Sequence, residues 1–236
     1  MAQDVLEAIQ VETRTSALWA LLLRYFHNRG ITKVSYHHFS GDVQAQRSVS
    51  VSADGFSSEW VCHYIEQKLY MIDPITELAQ STISPFRWSG VRDLMRLTPE
   101  QQLYLNQMRE AGIGDGLAFQ VFGPGLRNGY VGLGVDRRAD FPNDAAVLDF
   151  QVVAQAGHIR YCALTPAALS TNDLSPRERQ ILRWIARGKS NGSIADILLV
   201  SPHTVDTLVR RIFAKLGVAD RTTAAIQGVG AGLILP

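Results

Sequence analysis

The sequence predicts an α+β N-terminal domain, with an antiparallel sheet held between helices as an α-β-α sandwich, followed by an all-α helix-turn-helix domain. Three observations lead there. Through residues 1–165, stretches with helical apolar spacing alternate with short runs rich in β-branched and aromatic residues. Residues 166–173 are small, polar or proline and lack apolar periodicity, which is the composition of a linker. Residues 174–236 carry only helical patterning, punctuated by capping residues. At 236 residues the chain exceeds the common size of one domain, so two unequal units are expected.

The elements follow in order. Val5 to His27 reads as one helix that stops at Asn28-Arg29-Gly30. Ile31 to Phe39 and Ser48 to Ala53 read as strands of a hairpin turning at Ser40-Gly41-Asp42. Ser58 to Leu69 and Pro74 to Thr82 are helical, and Thr98-Pro99-Glu100-Gln101 starts a helix that ends near Gly112. Leu117 to Phe122 and Tyr130 to Val135 are two further strands, and Pro142 to Leu164 is a long amphipathic helix. In the tail, Ser175-Pro176-Arg177-Glu178 opens a helix running to Gly188, and a shorter one spans Ser190 to Leu199. Ser201 caps a third through Lys215, closed at Gly217, and a fourth runs from Thr222 towards Gly232.

Composition narrows the function. No stretch approaches the roughly 20 apolar residues that span a bilayer, and the acidic N-terminus is unlike a secretory signal, so a cytoplasmic protein without membrane contact is expected. Cys62 and Cys162 form neither a metal-ligand spacing nor a disulfide framework, and no metal or cofactor is implied. The net charge of +1 is uneven: residues 1–169 hold 14 basic and 17 acidic side chains, residues 170–236 hold 9 and 5. A basic tail suits a polyanion, although such a balance also occurs on solvated helices.

The pair Ile194–Leu199 and Pro202–Leu216, joined by a three-residue turn, has helix-turn-helix spacing. In its second helix Val205, Leu208, Ile212 and Leu216 follow core spacing and leave Thr204, Asp206, Thr207, Arg210, Arg211 and Lys215 facing outward. Arg210 is the candidate base reader, with Asp206 and Thr207 beside it and Lys189, Arg211 and Lys215 as phosphate contacts. The alternative is an ordinary solvated helix face.

Leu174-Ser175-Pro176-Arg177-Glu178, Gly188-Lys189-Ser190, Ile194-Ala195, Ser201-Pro202-His203-Thr204-Val205 and Lys215-Leu216-Gly217-Val218 resemble, in order and spacing, the LuxR-type DNA-binding domain. Asp206 and Leu208 depart from the basic residue and histidine of many members. This leaves Asp206 either selecting a base, by accepting from cytosine, or keeping a surface helix soluble. The same tail follows phosphoacceptor receiver domains, but the clustered acids and alternating strand-helix units of a receiver are not apparent. Instead, Trp60, Tyr64, Asp73-Pro74, Trp88 and Gly116 resemble the autoinducer-binding domain of the quorum-sensing LuxR family.

That resemblance implies a homodimer on palindromic promoter DNA, an acyl-homoserine lactone as signal, and RNA polymerase as a further candidate partner. It implies that Asp73 accepts from the ligand amide, that the Trp60 indole donates to the lactone carbonyl, and that Tyr64 and Trp88 wall the pocket. Gly116 would serve the backbone at a strand start. Phe56, Ile75 and Gly132 stand where many members carry Tyr, Thr or Val, and a hydroxyl residue. The acyl carbonyl therefore loses expected partners, and Tyr36, His38, Ser50, Ser52 or a water would substitute. Without the family, the four aromatic and acidic pocket residues read as core.

Two rivals remain. An enzyme would draw on Asp73, His37, His38 and Cys62-His63, but their spacing forms no catalytic or metal motif. A LuxR-type regulator independent of any signal, or responding to a different small molecule, would use the first domain for assembly or another ligand.

Overall fold

The computed structural model describes residues 2–39, 49–135, 141–165 and 174–235. The proposed turn at Ser40-Gly41-Asp42 and the linker 166–173 lie outside the described residues. The chain divides into two compact units, the first ending at Thr165 and the second holding the helices from 174 onward.

The single N-terminal helix expected from the sequence is two helices, α1 (Ala2–Val11) and α2 (Thr15–His27). No glycine or proline breaks them. Glu12 turns its carboxylate onto the N–H groups of Thr13 (2.9 Å) and Arg14 (3.0 Å), an acid capping donors that would otherwise be unpaired. Past the end of α2, Gly30 adopts φ +83°, which glycine reaches without a Cβ penalty.

Strand β1 (Ile31–Phe39) follows, then β2 (Val49–Asp54), α3 (Ser58–Glu66) and α4 (Pro74–Ser81). A two-residue strand β3 (Phe86–Arg87) and a short helix α5 (Val91–Leu94), neither of them expected from the sequence, flank a 3-10 turn at Trp88–Gly90. Next come α6 (Pro99–Glu110), β4 (Asp115–Val121), β5 (Gly129–Val135) and α7 (Asp144–Leu164). The sheet order is β2-β1-β5-β4-β3, with antiparallel pairing of β1 to β5, β5 to β4 and β4 to β3.

The expected α-β-α sandwich is what forms. One sheet face, with Val34, Leu117, Phe119, Val131 and Leu133, buries against α1, α2 and α7 through Leu18, Phe26, Phe150 and Val153. Phe119 is fully buried and pairs regularly with Val131. Helix α7 is not amphipathic in the expected sense: it leaves Leu148, Val152 and Ile159 exposed.

The second unit packs α8 (Pro176–Ala186), α9 (Asn191–Leu198), α10 (Pro202–Leu216) and α11 (Arg221–Gly230) around Ile181, Leu182, Ile194, Val205, Ile212 and Ala224. Ser175 and Glu178 close a reciprocal capping box on α8, as their spacing predicts. In α10, Val205, Ile212 and Leu216 are buried as expected, while Leu208 is only partly so and Val209 joins the inward stripe.

Candidate functional site

On the other sheet face, β1, β2, β5, α3, α4 and α6 enclose a cavity of about 50 Å³ lined by Ser35, His37, Phe56, Trp60, Tyr64, Asp73, Ile75, Trp88, Tyr104, Met108 and Tyr130, among others. Seven of the eight pocket residues expected from sequence are brought to this region. Phe56, Trp60, Tyr64, Asp73, Ile75 and Trp88 line it, and Gly132 borders it, since a Cβ there would lie 2.5 Å from both the Ser35 and Tyr130 hydroxyl oxygens. Glycine thus leaves room for that pair of hydroxyls.

Tyr36 is the exception. Successive strand residues point to opposite faces, so Ser35 and His37 enter the pocket while Tyr36 lines a separate cavity of about 200 Å³ with Ser52, Trp19 and Tyr161. Its hydroxyl lies 2.7 Å from His158 Nδ1. Ser50 is exposed, and His38 packs its ring against Tyr161 with centroids 5.1 Å apart, so none of the four proposed side chains supplies a donor to the first cavity.

Asp73 is the centre of the pocket, held by its place as N-cap of α4. Oδ1 accepts from the N–H groups of Ile75 (2.9 Å) and Thr76 (3.4 Å). Oδ2 accepts from the hydroxyls of Tyr64 (2.9 Å), Tyr104 (3.0 Å) and Thr76 (3.1 Å). Burial pushes the Asp73 carboxyl up, opposed by these donors, and burial followed by the Asp73 charge pushes the Tyr64 and Tyr104 phenols well up. The two tyrosines therefore remain protonated donors at physiological pH. Expected to wait for a ligand amide, Asp73 is instead saturated by protein donors. Its first task is to join α3, α4 and α6.

The network also contains residues the sequence did not reveal, Tyr104, Thr76, Tyr130 and Ser35, together with His37, which the sequence offered only for the enzyme alternative. His37 Nε2 lies 3.0 Å from the Tyr64 hydroxyl, and its ring is flanked by Tyr130 at 5.0 Å between centroids. Trp88 is seated by its neighbours. Ser89 N–H and Oγ donate to Asp115 at 3.0 and 2.8 Å, and a Cβ on Gly116 would lie 2.9 Å from the Trp88 ring. Gly116 serves that close approach and not only the strand start. The histidines and cysteine of the enzyme alternative are dispersed: His37 and His38 sit on opposite sheet faces, while Cys62 and His63 are exposed on α3.

In the second unit, α9 and α10 meet through a turn in which Leu199 adopts the left-handed conformation (φ 53°). Thr204, Arg210, Arg211 and Lys189 are exposed, and Thr207 is half-buried with Oγ1 donating to the His203 carbonyl at 3.0 Å. Two expected contacts are engaged within the protein. Asp206 accepts from Asn191 Nδ2 at 2.7 Å, which ties α9 to α10 and gives the acid a structural purpose. Lys215 Nζ donates to the buried Glu178 carboxylate at 2.8 Å, so its charge neutralises the capping box of α8. Burial alone would raise the Glu178 carboxyl, but Lys215 and the Ser175 N–H outweigh it and hold the group below its usual range. Arg221, unremarked in the sequence, joins this group by donating to the Lys189 carbonyl and to Asn191 Oδ1.

A sandwich enclosing an apolar pocket with a buried polar network, followed by a helix-turn-helix, defines a ligand-responsive transcription regulator. Residues 14–161 match the family model of the autoinducer binding domain, and residues 172–227 match that of bacterial regulatory proteins, luxR family. The chain belongs to the LuxR family of autoinducer-binding transcriptional regulators. It is 27% identical over 77% of its length to 74% of the HTH-type quorum sensing-dependent transcriptional regulator RpaR of Rhodopseudomonas palustris. It is 26% identical to the transcriptional activator protein TraR of Agrobacterium vitis, covering 81% of each chain. Among solved structures, Escherichia coli SdiA shares the fold at a TM-score of 0.79 and 20% identity, covering 100% of this chain and 98% of that one. These relatives are transcriptional regulators and not enzymes.

Proposed function

We propose that this protein is a cytoplasmic quorum-sensing regulator that binds an acyl-homoserine lactone in the first cavity and palindromic promoter DNA as a homodimer. The observation that carries the reading is the Asp73 network, a fully buried carboxylate fixing three walls of an otherwise apolar cavity lined by Trp60, Tyr64 and Trp88. Such a cavity, apolar with a few convergent polar groups, suits a ligand with a polar head and an apolar tail. At about 50 Å³ it is smaller than an acylated ligand, so the acyl chain enters by displacing side chains such as Met108 and Phe56. Ligand binding to the native state then stabilises it by mass action.

Dimerisation is supported by an apolar groove along α7, where Leu148, Val152 and Ile159 lie exposed with Ile83 and Phe122. Two-fold symmetry also matches the half-site spacing a helix-turn-helix needs. On α10, Arg210 is offered as the base reader and Arg211 with Lys189 as phosphate contacts. No described helix is long and apolar enough to cross a membrane.

Organic extraction of protein purified from signal-producing cells, followed by mass spectrometry, tests the ligand. An acyl-homoserine lactone recovered at near-stoichiometric amount is the expected result. DNA affinity unchanged by any such lactone would favour a signal-independent regulator, a reading to which the saturated Asp73 and small cavity lend support.

A further inference from the structure

The sheet face turned away from Asp73 holds the larger hollow. It measures about 200 Å³, against about 50 Å³ for the first cavity, and lies within the first unit between β1, β2, β5, α2 and α7. Close-packed interiors seldom keep a void larger than a water molecule, and an empty one costs stability in proportion to its volume. An apolar cavity of about 150 Å³ already takes up benzene. This one therefore has room for a single ring with a small substituent.

Its walls define the chemistry of that ring. Trp19 and Phe26 on α2, Tyr36 on β1 and Tyr161 on α7 present aromatic surfaces. Tyr36 meets Tyr161 edge to face, with centroids 5.6 Å apart at 79°, and a guest ring extends that arrangement, which aromatic pairs favour. Polar groups are few. The Tyr36 hydroxyl and His158 Nδ1, 2.7 Å apart, can exchange donor and acceptor roles with the imidazole tautomer. Such a pair can meet a guest hydroxyl, which is itself both donor and acceptor. Ser52 and the exposed Thr15 and Ser16 mark the side nearest solvent. A charged guest has no counterpart, since no Lys, Arg, Asp or Glu is among the described residues of the wall. On α7 the small side chain of Ala154 leaves the space open. Gly157 does not, because Leu22 fills the place of its missing Cβ, with Cδ1 2.8 Å from where that atom would stand.

We propose that this second cavity binds a small uncharged aromatic molecule carrying one hydroxyl, at a site separate from that of the acylated signal. The sheet divides the two, with Ser35 and His37 turned to the first cavity and Tyr36 to the second. Because α2, α7 and the sheet all line it, occupancy stabilises the first unit by mass action. The site does not depend on which ligand the first cavity takes.

The test titrates p-cresol into the full chain and follows the four tryptophan indoles by nitrogen-15 NMR. Trp19 lines the second cavity, Trp60 and Trp88 line the first, and Trp184 packs in the helical unit, so the signal that moves identifies the site. A shift of Trp19 that saturates with a Kd on the order of 0.1–1 mM, with Trp60 and Trp88 still and Tm raised, is the expected result. Movement of Trp60 or Trp88 as large as that of Trp19 puts the guest in the first cavity and overturns the proposal. So does the lack of any saturable shift, which leaves the hollow to water. Toluene, which lacks the hydroxyl, is the second probe: the affinity of p-cresol relative to toluene should fall on the order of fivefold from wild type to Tyr36→Phe. An unchanged ratio overturns the choice of a hydroxylated guest. Ala154→Leu, whose longer side chain fills the cavity, should abolish the Trp19 shift, and binding that persists in it refutes the site. Should that variant misfold, the wild-type titration decides alone.

Discussion

Replacing Asp73 with Asn removes the acceptor on which three hydroxyls converge while keeping the helix cap. Asn is as good an N-cap as Asp, so its carbonyl can hold the Ile75 and Thr76 N–H groups that Oδ1 holds now. Its amide then faces the hydroxyls of Tyr64, Tyr104 and Thr76, which all donate to Oδ2. Tyr64 can redirect its proton to His37 Nε2, 3.0 Å away, once the imidazole proton moves to Nδ1, and Thr76 can turn to a helix carbonyl. Tyr104 has no such outlet. One buried hydroxyl left unsatisfied costs about 1–3 kcal/mol, and weakening the charge-assisted bonds adds about 1 kcal/mol. Relief of the burial that pushes the carboxyl up offsets part of this. The net is about 2 kcal/mol, or a fall of about 4–8 °C in Tm for a chain of this size. Urea unfolding followed by tryptophan fluorescence measures it, with Trp60 and Trp88 in the pocket as reporters. Asp73→Ala should lose about 1 kcal/mol more through the missing cap. Wild-type stability, or better, in Asp73→Asn would show that solvating the buried charge outweighs all three hydroxyls.

Other outcomes follow from the same geometry. Arg210→Ala should relax sequence preference at one position per half-site at a cost of about 1–3 kcal/mol; binding-site selection that returns an unchanged motif at unchanged affinity would displace Arg210 from the interface. Lys215→Ala should instead lower the stability of the helical unit by about 1–2 kcal/mol, less than a fully buried pair would because the lysine is 38% exposed, and leave the salt dependence of DNA binding nearly unchanged. A salt slope reduced by about one would return Lys215 to the phosphate contacts. The carboxyl of Glu178 is held below its usual range, so its contribution is complete above the unfolded pKa and lost as pH falls through the folded one; acid unfolding of Glu178→Gln should lack that drop. His27 is raised, first by the Ile31 carbonyl and then by Asp54, so its stabilisation is complete below the unfolded pKa and fades as pH rises through the folded one. The pH 6 to 8 decline in stability should be smaller in His27→Gln.

Features set within a few residues are legible in the sequence alone. The Ser175/Glu178 and Thr98/Gln101 capping boxes and the Gly217 stop depend on neighbours three or four positions away. The break between α1 and α2 is also local, but Glu12 makes it with a side chain that usually sits well inside helices. The turn carrying Trp88 is anchored by Asp115, 26 residues downstream, and no window reaches that far. In the pocket, resemblance identifies Tyr64 and Asp73, whereas Tyr104 and His37 arrive from other elements across 31 and 27 residues. The sequence places Tyr36 on the wrong face because β1 is covered on both sides, so its residues show no polar-apolar alternation to set the parity.

That parity makes the sheet a partition between two separate selective pressures. Ser35, His37, Tyr130 and Gly132 look onto the ligand cavity, while Val34, Tyr36, Val131 and Leu133 look towards α2 and α7. Substitutions on one side touch few neighbours on the other, and changes that share no partners combine nearly additively. A lineage can therefore retune which molecule it hears by exchanging every second residue of two strands, while the intervening residues keep the domain folded.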